Sequence, residues 1–139
     1  MRIKTVILVE PTPKARPRHT TKGNRVITYT PEKTRVAEAR IQTRIQESVL
    51  EKGSFGEGIP IRMEATFYRL RPKSLPKKVI MPVTKPDWDN YGKLLTDALE
   101  KYVYANDSQI TSAVIRKRYG SPPRIELILE EDSEVPDWF

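Results

Sequence analysis

The stretch Pro60-Ile61-Arg62-Met63-Glu64-Ala65-Thr66-Phe67-Tyr68-Arg69-Leu70 decides the fold. Ile61, Met63, Ala65 and Phe67 fall on alternate positions, with polar or amphipathic side chains between them. A period of two sends successive side chains to opposite faces of a strand, so one face here is apolar. Such a strand needs neighbours in a sheet and helices over its apolar face. Upstream, Ala37, Ile41, Ile45 and Val49 recur every four residues until Gly53, which predicts a helix. Its start reads as Thr30-Pro31-Glu32, with Thr30 as N-cap and Pro31 as the first helical residue. Residues 3–9 are β-branched and predict a strand; residues 10–30 read as a long basic loop in which only Val26–Tyr29 is strand-like. Downstream, residues 71–86 form a second basic loop, punctuated by Pro72, Pro76, Pro82 and Pro86. A helix over about 88–103 follows, burying Leu94, Leu95, Ala98, Leu99 and Tyr102. Residues 109–119 and 124–130 are strand-like, and Gly120-Ser121-Pro122-Pro123 between them reads as a hairpin connection. The order is β-α-β-α-β-β. It describes an α/β chain of the α+β type, a single small domain over residues 1–130 with a mixed sheet of about four strands and two main helices. An acidic tail over 131–139 lies outside the core.

Composition narrows the chemistry. The 139 residues contain no cysteine and one histidine. Disulfides, thiolate zinc sites, iron–sulfur clusters and a thiol nucleophile are thereby excluded, and a histidine-rich metal site is disfavoured. A metal would be a hard cation on carboxylates. No apolar run approaches 18 residues, so no membrane span is expected, and the cysteine-free composition is compatible with a cytoplasmic location. The 25 basic and 18 acidic side chains give +7, but unevenly. Residues 1–40 carry +7, residues 62–85 carry +6, and residues 126–139 hold six acidic side chains and no basic one. Without that last stretch, 25 basic face 12 acidic groups, a body of +13. A small body with such a field attracts polyanions.

The densest chemistry lies in Lys85-Pro86-Asp87-Trp88-Asp89-Asn90-Tyr91-Gly92-Lys93, with Asp97 and Asn106-Asp107-Ser108-Gln109 after it. On a helix starting near Asp89, the residues Asp89, Lys93 and Asp97 share one face. Asp87 just precedes that helix, and Asp107 can return beside its start from the turn beyond it. Carboxylates that converge repel one another, and a divalent cation such as Mg²⁺, with Mn²⁺ as a substitute, relieves the repulsion. Such an ion activates water and neutralises charge at a phosphodiester. The plainer alternative also fits the spacing: Asp87 or Asp89 as a helix cap, and Asp89, Lys93 and Asp97 as surface ion pairs.

These residues resemble the RusA family of Holliday junction resolvases of bacteria and their prophages. The likeness rests on Asp87-Trp88-Asp89-Asn90 with Lys93, on Asp97-Ala98-Leu99, and on Asp107-Ser108-Gln109. Pro13-Lys14-Ala15-Arg16-Pro17-Arg18 and Thr28-Tyr29-Thr30-Pro31-Glu32-Lys33 extend it, so that it spans about residues 10–130. The resemblance implies a homodimeric, Mg²⁺-dependent endodeoxyribonuclease that nicks two opposed strands of a four-way junction, in DNA recombination and repair. It implies Asp87, Asp89 and Asp107 as catalytic, metal-binding carboxylates and Lys93 as an essential lysine. Asn106 departs from the acidic residue that many members carry there, which puts a fourth carboxylate in doubt. Candidate DNA contacts are Lys14, Arg16, Arg18, Lys22, Arg25, Arg71, Lys73, Lys77, Lys78 and Asn90. Contacts of this kind grip phosphate and carry little sequence information.

Other residues keep open readings. His19 sits in the first basic loop as a phosphate contact or an incidental residue. Trp88 either stacks on an opened base or packs in an interface, while Tyr91 and Tyr102 read as core or interface aromatics. The tail Glu131-Asp132-Ser133-Glu134-Val135-Pro136-Asp137-Trp138-Phe139 reads as a solvated end, as a cover over the basic face, or as a docking segment for a protein partner. It resembles the acidic, Phe-terminated tip of bacterial single-stranded-DNA-binding proteins. Two rival functions remain: a non-catalytic basic DNA-binding module, and a nuclease for flaps or forks.

Overall fold

The computed structural model describes residues 1–49 and 53–139, and the side chain of Val49 lies outside the described residues. The elements are β1 (Arg2–Ile7), β2 (Arg18–Lys22), β3 (Arg25–Tyr29), α1 (Glu32–Val49), β4 (Ile61–Arg69), α2 (Trp88–Leu99), a 3₁₀ turn (Asp107–Gln109), β5 (Ile110–Tyr119) and β6 (Arg124–Glu131). Four strands form one mixed sheet in the order β1-β6-β4-β5, and β2 and β3 form a separate two-stranded ribbon. The class is α+β, as the strand and helix patterns predict.

The alternation in β4 does what its spacing requires. Ile61, Met63, Ala65 and Phe67 are all buried, in one core with Ile125, Leu127 and Leu129 of β6 and Ile3 and Ile7 of β1. Helix α1 adds Ile41 and Ile45, and α2 adds Leu94, Leu95, Ala98 and Leu99. Each Ile, Leu, Met and Phe side chain among these contributes about 1.5–3 kcal/mol by leaving water. Phe67 and Tyr91 stack at 5.0 Å with their planes 9° apart, which pins the first turn of α2 onto the sheet.

Four expectations are corrected. First, β5 and β6 do not form a hairpin: β4 lies between them, parallel to β5 and antiparallel to β6. The Gly120–Pro123 segment therefore crosses the end of β4, where the Gly120 amide donates to the Arg69 carbonyl at 3.0 Å. Second, the first basic loop contains a full hairpin, because Arg18–Lys22 pairs with Arg25–Tyr29 through a turn with Gly23 at φ 64°. Third, α2 ends at Leu99 rather than near 103, and Tyr102 is exposed; Val103 and Tyr104 fill the core instead. Fourth, the Pro31 carbonyl accepts the first turn's amides from Thr34 and Arg35, so Pro31 holds the cap position expected of Thr30.

Candidate active site

Helix α2 begins where the second basic loop is clamped. Arg69 of β4 donates to the Lys85 carbonyl at 2.9 Å and to Thr84 Oγ1 at 2.9 Å. Lys117 of β5 donates to the carbonyls of Thr84 at 3.0 Å and Pro86 at 2.9 Å. Two neighbouring strands thus hold the backbone that enters Asp87. Asp87 occupies the N-cap position, yet its carboxylate makes no capping bond, so the cap alternative does not account for this side chain. Asp89 Oδ1 accepts the Asn90 amide at 3.1 Å, a local bond that does not engage its other oxygen.

A cleft of about 330 Å³ lies between α2 and β5, with Met63, Ile110, Ala113 and Ile115 as floor and Trp88, Asp89, Gly92, Lys93, Thr96 and Asp107 around it. Gly92 makes the close approach possible, since a Cβ at this position would overlap Ile115 Cδ1. Trp88 is exposed at the mouth, whereas Tyr91 is core.

Asp107 reaches the cleft because its turn is held from several sides. Gln109 Oε1 accepts the amides of Ala105 (3.1 Å) and Asn106 (3.0 Å), and its Nε2 donates to the carbonyls of Gly56 (2.9 Å) and Ile59 (3.1 Å). Asn106 Oδ1 in turn accepts the Ser108 amide at 2.9 Å, completing a reciprocal capping box. Asn106 is therefore a cap, and a neutral amide serves that purpose. The Glu100 carboxylate accepts the Asp107 amide at 3.2 Å.

Lys93 stands between acids. Its Nζ lies 3.0 Å from Asp97 Oδ1 and 3.7 Å from Asp107 Oδ2. The hydrogen bond to Asp97 holds the Lys93 ammonium above the ordinary lysine value, against the opposing effect of burial. Nearby, burial and the charges of Asp107, Glu100 and Asp97 push the Tyr104 phenol far up, and its hydroxyl donates to the Thr96 carbonyl at 2.7 Å.

Of the expected site residues, Asp89, Lys93 and Asp107 line one cleft, with Asp97 bound to Lys93 behind them. Asp87 sits one residue outside that lining. Among the described residues no three carboxylate, histidine or cysteine side chains gather closely enough to hold an ion. Two hard oxygen donors beside a lysine suit Mg²⁺, which keeps several waters and takes substrate phosphate as a ligand.

The basic residues divide. Arg18, Lys22 and Arg25 lie on the exposed ribbon, where they share one face with Tyr29, Ile27 and Thr20, while His19, Thr21, Val26 and Thr28 form a second face. His19 Nδ1 pairs with Thr28 Oγ1 at 2.9 Å, across the ribbon. Arg16 precedes the ribbon, and Lys73, Lys77 and Lys78 are exposed on the second loop beside Ile80, Met81 and Val83. Arg71 binds the carbonyls of Val79, Leu75 and Pro76, so its guanidinium braces its own loop. Lys14 is partly buried against Glu38 and Asp97. Asn90 offers its carbonyl to the Lys14 amide at 3.0 Å. Glu38 and Lys117 are the site-supporting residues that local motif spacing does not reveal, whereas Gln109 stands in the Asp107-Ser108-Gln109 motif.

The tail has a fixed root. Asp132 accepts the Thr111 hydroxyl at 2.6 Å and lies 3.5 Å from Arg62, and its amide donates to the Pro60 carbonyl at 2.8 Å. Beyond it, Val135, Trp138 and Phe139 are exposed. No described helix is long and apolar enough to cross a membrane.

The comparisons with known proteins agree with this layout. The chain is 30% identical over 141 aligned residues to the uncharacterized protein YqaN of Bacillus subtilis (strain 168), covering 94% of this chain and 97% of that protein. A sequence model described as endodeoxyribonuclease RusA matches residues 9–130, from just after β1 through nearly all of β6, and so takes in the cleft, both loops and the turn that carries Asp107. The chain belongs to the RusA endodeoxyribonuclease family.

Proposed function

We propose that this family member is a Mg²⁺-dependent endonuclease that resolves four-way DNA junctions by paired, symmetric nicks, acting as a homodimer. The observation that carries the reading is the pair of carboxylates, Asp89 and Asp107, brought to one cleft with Lys93 between helix and turn. A hard divalent cation bound by Asp89 and Asp107, with Asp87 adjacent, would supply activated water and charge neutralisation. Lys93 places a cation against the phosphate and offsets charge that develops there. Two opposed nicks need two equivalent clefts, which a twofold dimer of this small chain provides. The ribbon and the second loop add the broad cationic surface that grips phosphate without reading bases. Trp88, exposed at the mouth, suits contact with unpaired bases at a branch point.

The test is a labelled mobile four-way junction incubated with and without Mg²⁺. Paired symmetric nicks are expected, and Asp87→Asn, Asp89→Asn and Asp107→Asn should each abolish them while sparing junction binding. Cutting confined to flaps or forks would favour a different branched substrate. A metal-independent mobility shift without product would favour a non-catalytic binding module, and full-rate cleavage by Asp89→Asn would remove the assignment of the site.

A further inference from the structure

Lys14 is in the wrong place for a phosphate contact. It lies on the segment between β1 and β2, which is tied down twice: its amide donates to the Asn90 carbonyl at 3.0 Å, and the next amide, of Ala15, donates to Thr34 Oγ1 at 3.3 Å. The segment therefore crosses the starts of α1 and α2. Its Nζ is 2.6 Å from Glu38 Oε1 and 3.2 Å from Asp97 Oδ2. Asp97 gives its other oxygen, Oδ1, to Lys93 at 3.0 Å, and Lys93 faces Asp107 at 3.7 Å. Glu38, Lys14, Asp97, Lys93 and Asp107 thus alternate in sign along one line from α1 to the cleft.

The line is graded. The side chains of Glu38, Lys14 and Asp97 are 19%, 23% and 21% exposed, against 57% for Lys93, so the three inner charges are held while the outer one can meet a substrate. Burial lowers the affinity of Lys14 for its proton, but the bonds to Glu38 and Asp97 outweigh it and keep the group charged. An ammonium has three donors and can turn toward whichever carboxylate offers most. By occupying Asp97 Oδ2, Lys14 leaves Lys93 a single oxygen on that side and frees its remaining N–H groups for the cleft.

We propose that Lys14 and Glu38 are positioning residues for Lys93. The inference rests on the nuclease reading for its kinetic consequence, though the geometry stands without it. Lys14→Met releases Asp97 to draw Lys93 back from Asp107. Glu38→Gln weakens the hold on Lys14 and acts in the same direction with smaller effect.

The experiment uses the full chain in saturating excess over a labelled four-way junction, with Mg²⁺ and under single-turnover conditions, beside wild type and Asp89→Asn. Lys14→Met should slow cleavage by about tenfold or more, as small misplacements of a catalytic group do. Junction affinity, measured with Ca²⁺ in place of Mg²⁺, should stay within about twofold and keep its salt dependence, because the same phosphates remain neutralised. Lys14→Arg should restore most of the rate, and Lys14→Met/Glu38→Gln should be no slower than Lys14→Met alone. An unchanged rate overturns the proposal, and so does weaker affinity with a shallower salt slope at unchanged rate, which would make Lys14 a phosphate contact. If Lys14→Met fails to fold, Glu38→Gln decides, read through the side-chain NMR signals of Lys93 assigned by comparison with Lys93→Arg. Shifted Lys93 signals support the proposal and unmoved ones overturn it. Absence of cleavage by wild type would instead count against the nuclease reading, and the NMR measurement would still test the positioning.

Discussion

Lys117 in β5 donates its ammonium to the Pro86 carbonyl at 2.9 Å, so the edge strand of the sheet holds the residue directly before Asp87. The sheet thereby controls where α2 begins, and α2 carries Asp89 and Lys93. Lys117→Met removes this bond and the one to Thr84. Cleavage is expected to fall about tenfold, the scale of a small misplacement at the reacting centre. The accompanying loss of stability should be about 1–3 kcal/mol. Rates at saturating junction and a urea titration separate the two effects.

Gln109 has four hydrogen bonds and almost no exposed surface. Replacing it by alanine takes this partner from the amides of Ala105 and Asn106 and from the Ile59 carbonyl, and leaves the Gly56 carbonyl only the Ile59 amide at 3.3 Å. The expected cost is about 2–5 kcal/mol, well above a typical surface substitution. Urea midpoints should drop accordingly, and the protein that remains folded should cleave slowly because Asp107 is no longer held.

The ribbon makes a quantitative statement about salt. Each phosphate that the protein no longer neutralises reduces the slope of log K against log salt by about 0.9. Arg18→Ala, Lys22→Ala and Arg25→Ala together should therefore flatten the slope by up to about 2.7 on duplex arms. Arg71→Ala should leave the slope in place, since its guanidinium is engaged with loop carbonyls. Affinity measured by fluorescence anisotropy across a salt series distinguishes the two groups.

Asp132 predicts acid-sensitive anchoring of the tail. The Thr111 hydroxyl, with the Glu134 amide and Arg62 adding to it, holds this carboxyl below its ordinary 3.8. A lowered value means the folded state binds the proton less readily than the unfolded one. The stabilisation is thus fully present above the ordinary carboxylate range and fades as pH falls through the lowered value. In a Trp88→Phe background, Trp138 fluorescence anisotropy should be steady from neutral pH to about pH 5, in the range where the carboxylate is fully charged, and drop in stronger acid. Thr111→Val should move that drop upward. If the tail also shields the basic body, removing residues 133–139 tightens junction binding at low salt.

Much of the site is local and therefore readable in the chain. A period of two in residues 61–67 and a period near 3.6 in α2 place Asp89, Lys93 and Asp97 on one face without knowledge of the sheet. Pairings across the fold are another matter. Gly120-Ser121-Pro122-Pro123 has turn chemistry either way, and nothing local says that β4, some fifty residues earlier, fills the space between β5 and β6. Arg18–Lys22 lacks an apolar face because neither side of the ribbon is buried, so periodicity gives no strand signal. Lys14 looks like any lysine in a basic loop, and its role depends on Glu38 and Asp97, which only the packing of α1 against α2 brings together.

The inner position of β6 also sets an order of events. Residues 2–7 pair with residues 125–130, so the strand made first cannot join the sheet until the strand near the other end has been synthesised. On the ribosome, the ribbon, α1 and α2 are made before the four-stranded sheet can close. The sheet's main pairings are non-local, which favours slow, late closure. A nascent chain therefore presents its basic ribbon before the residues that line the cleft have been made.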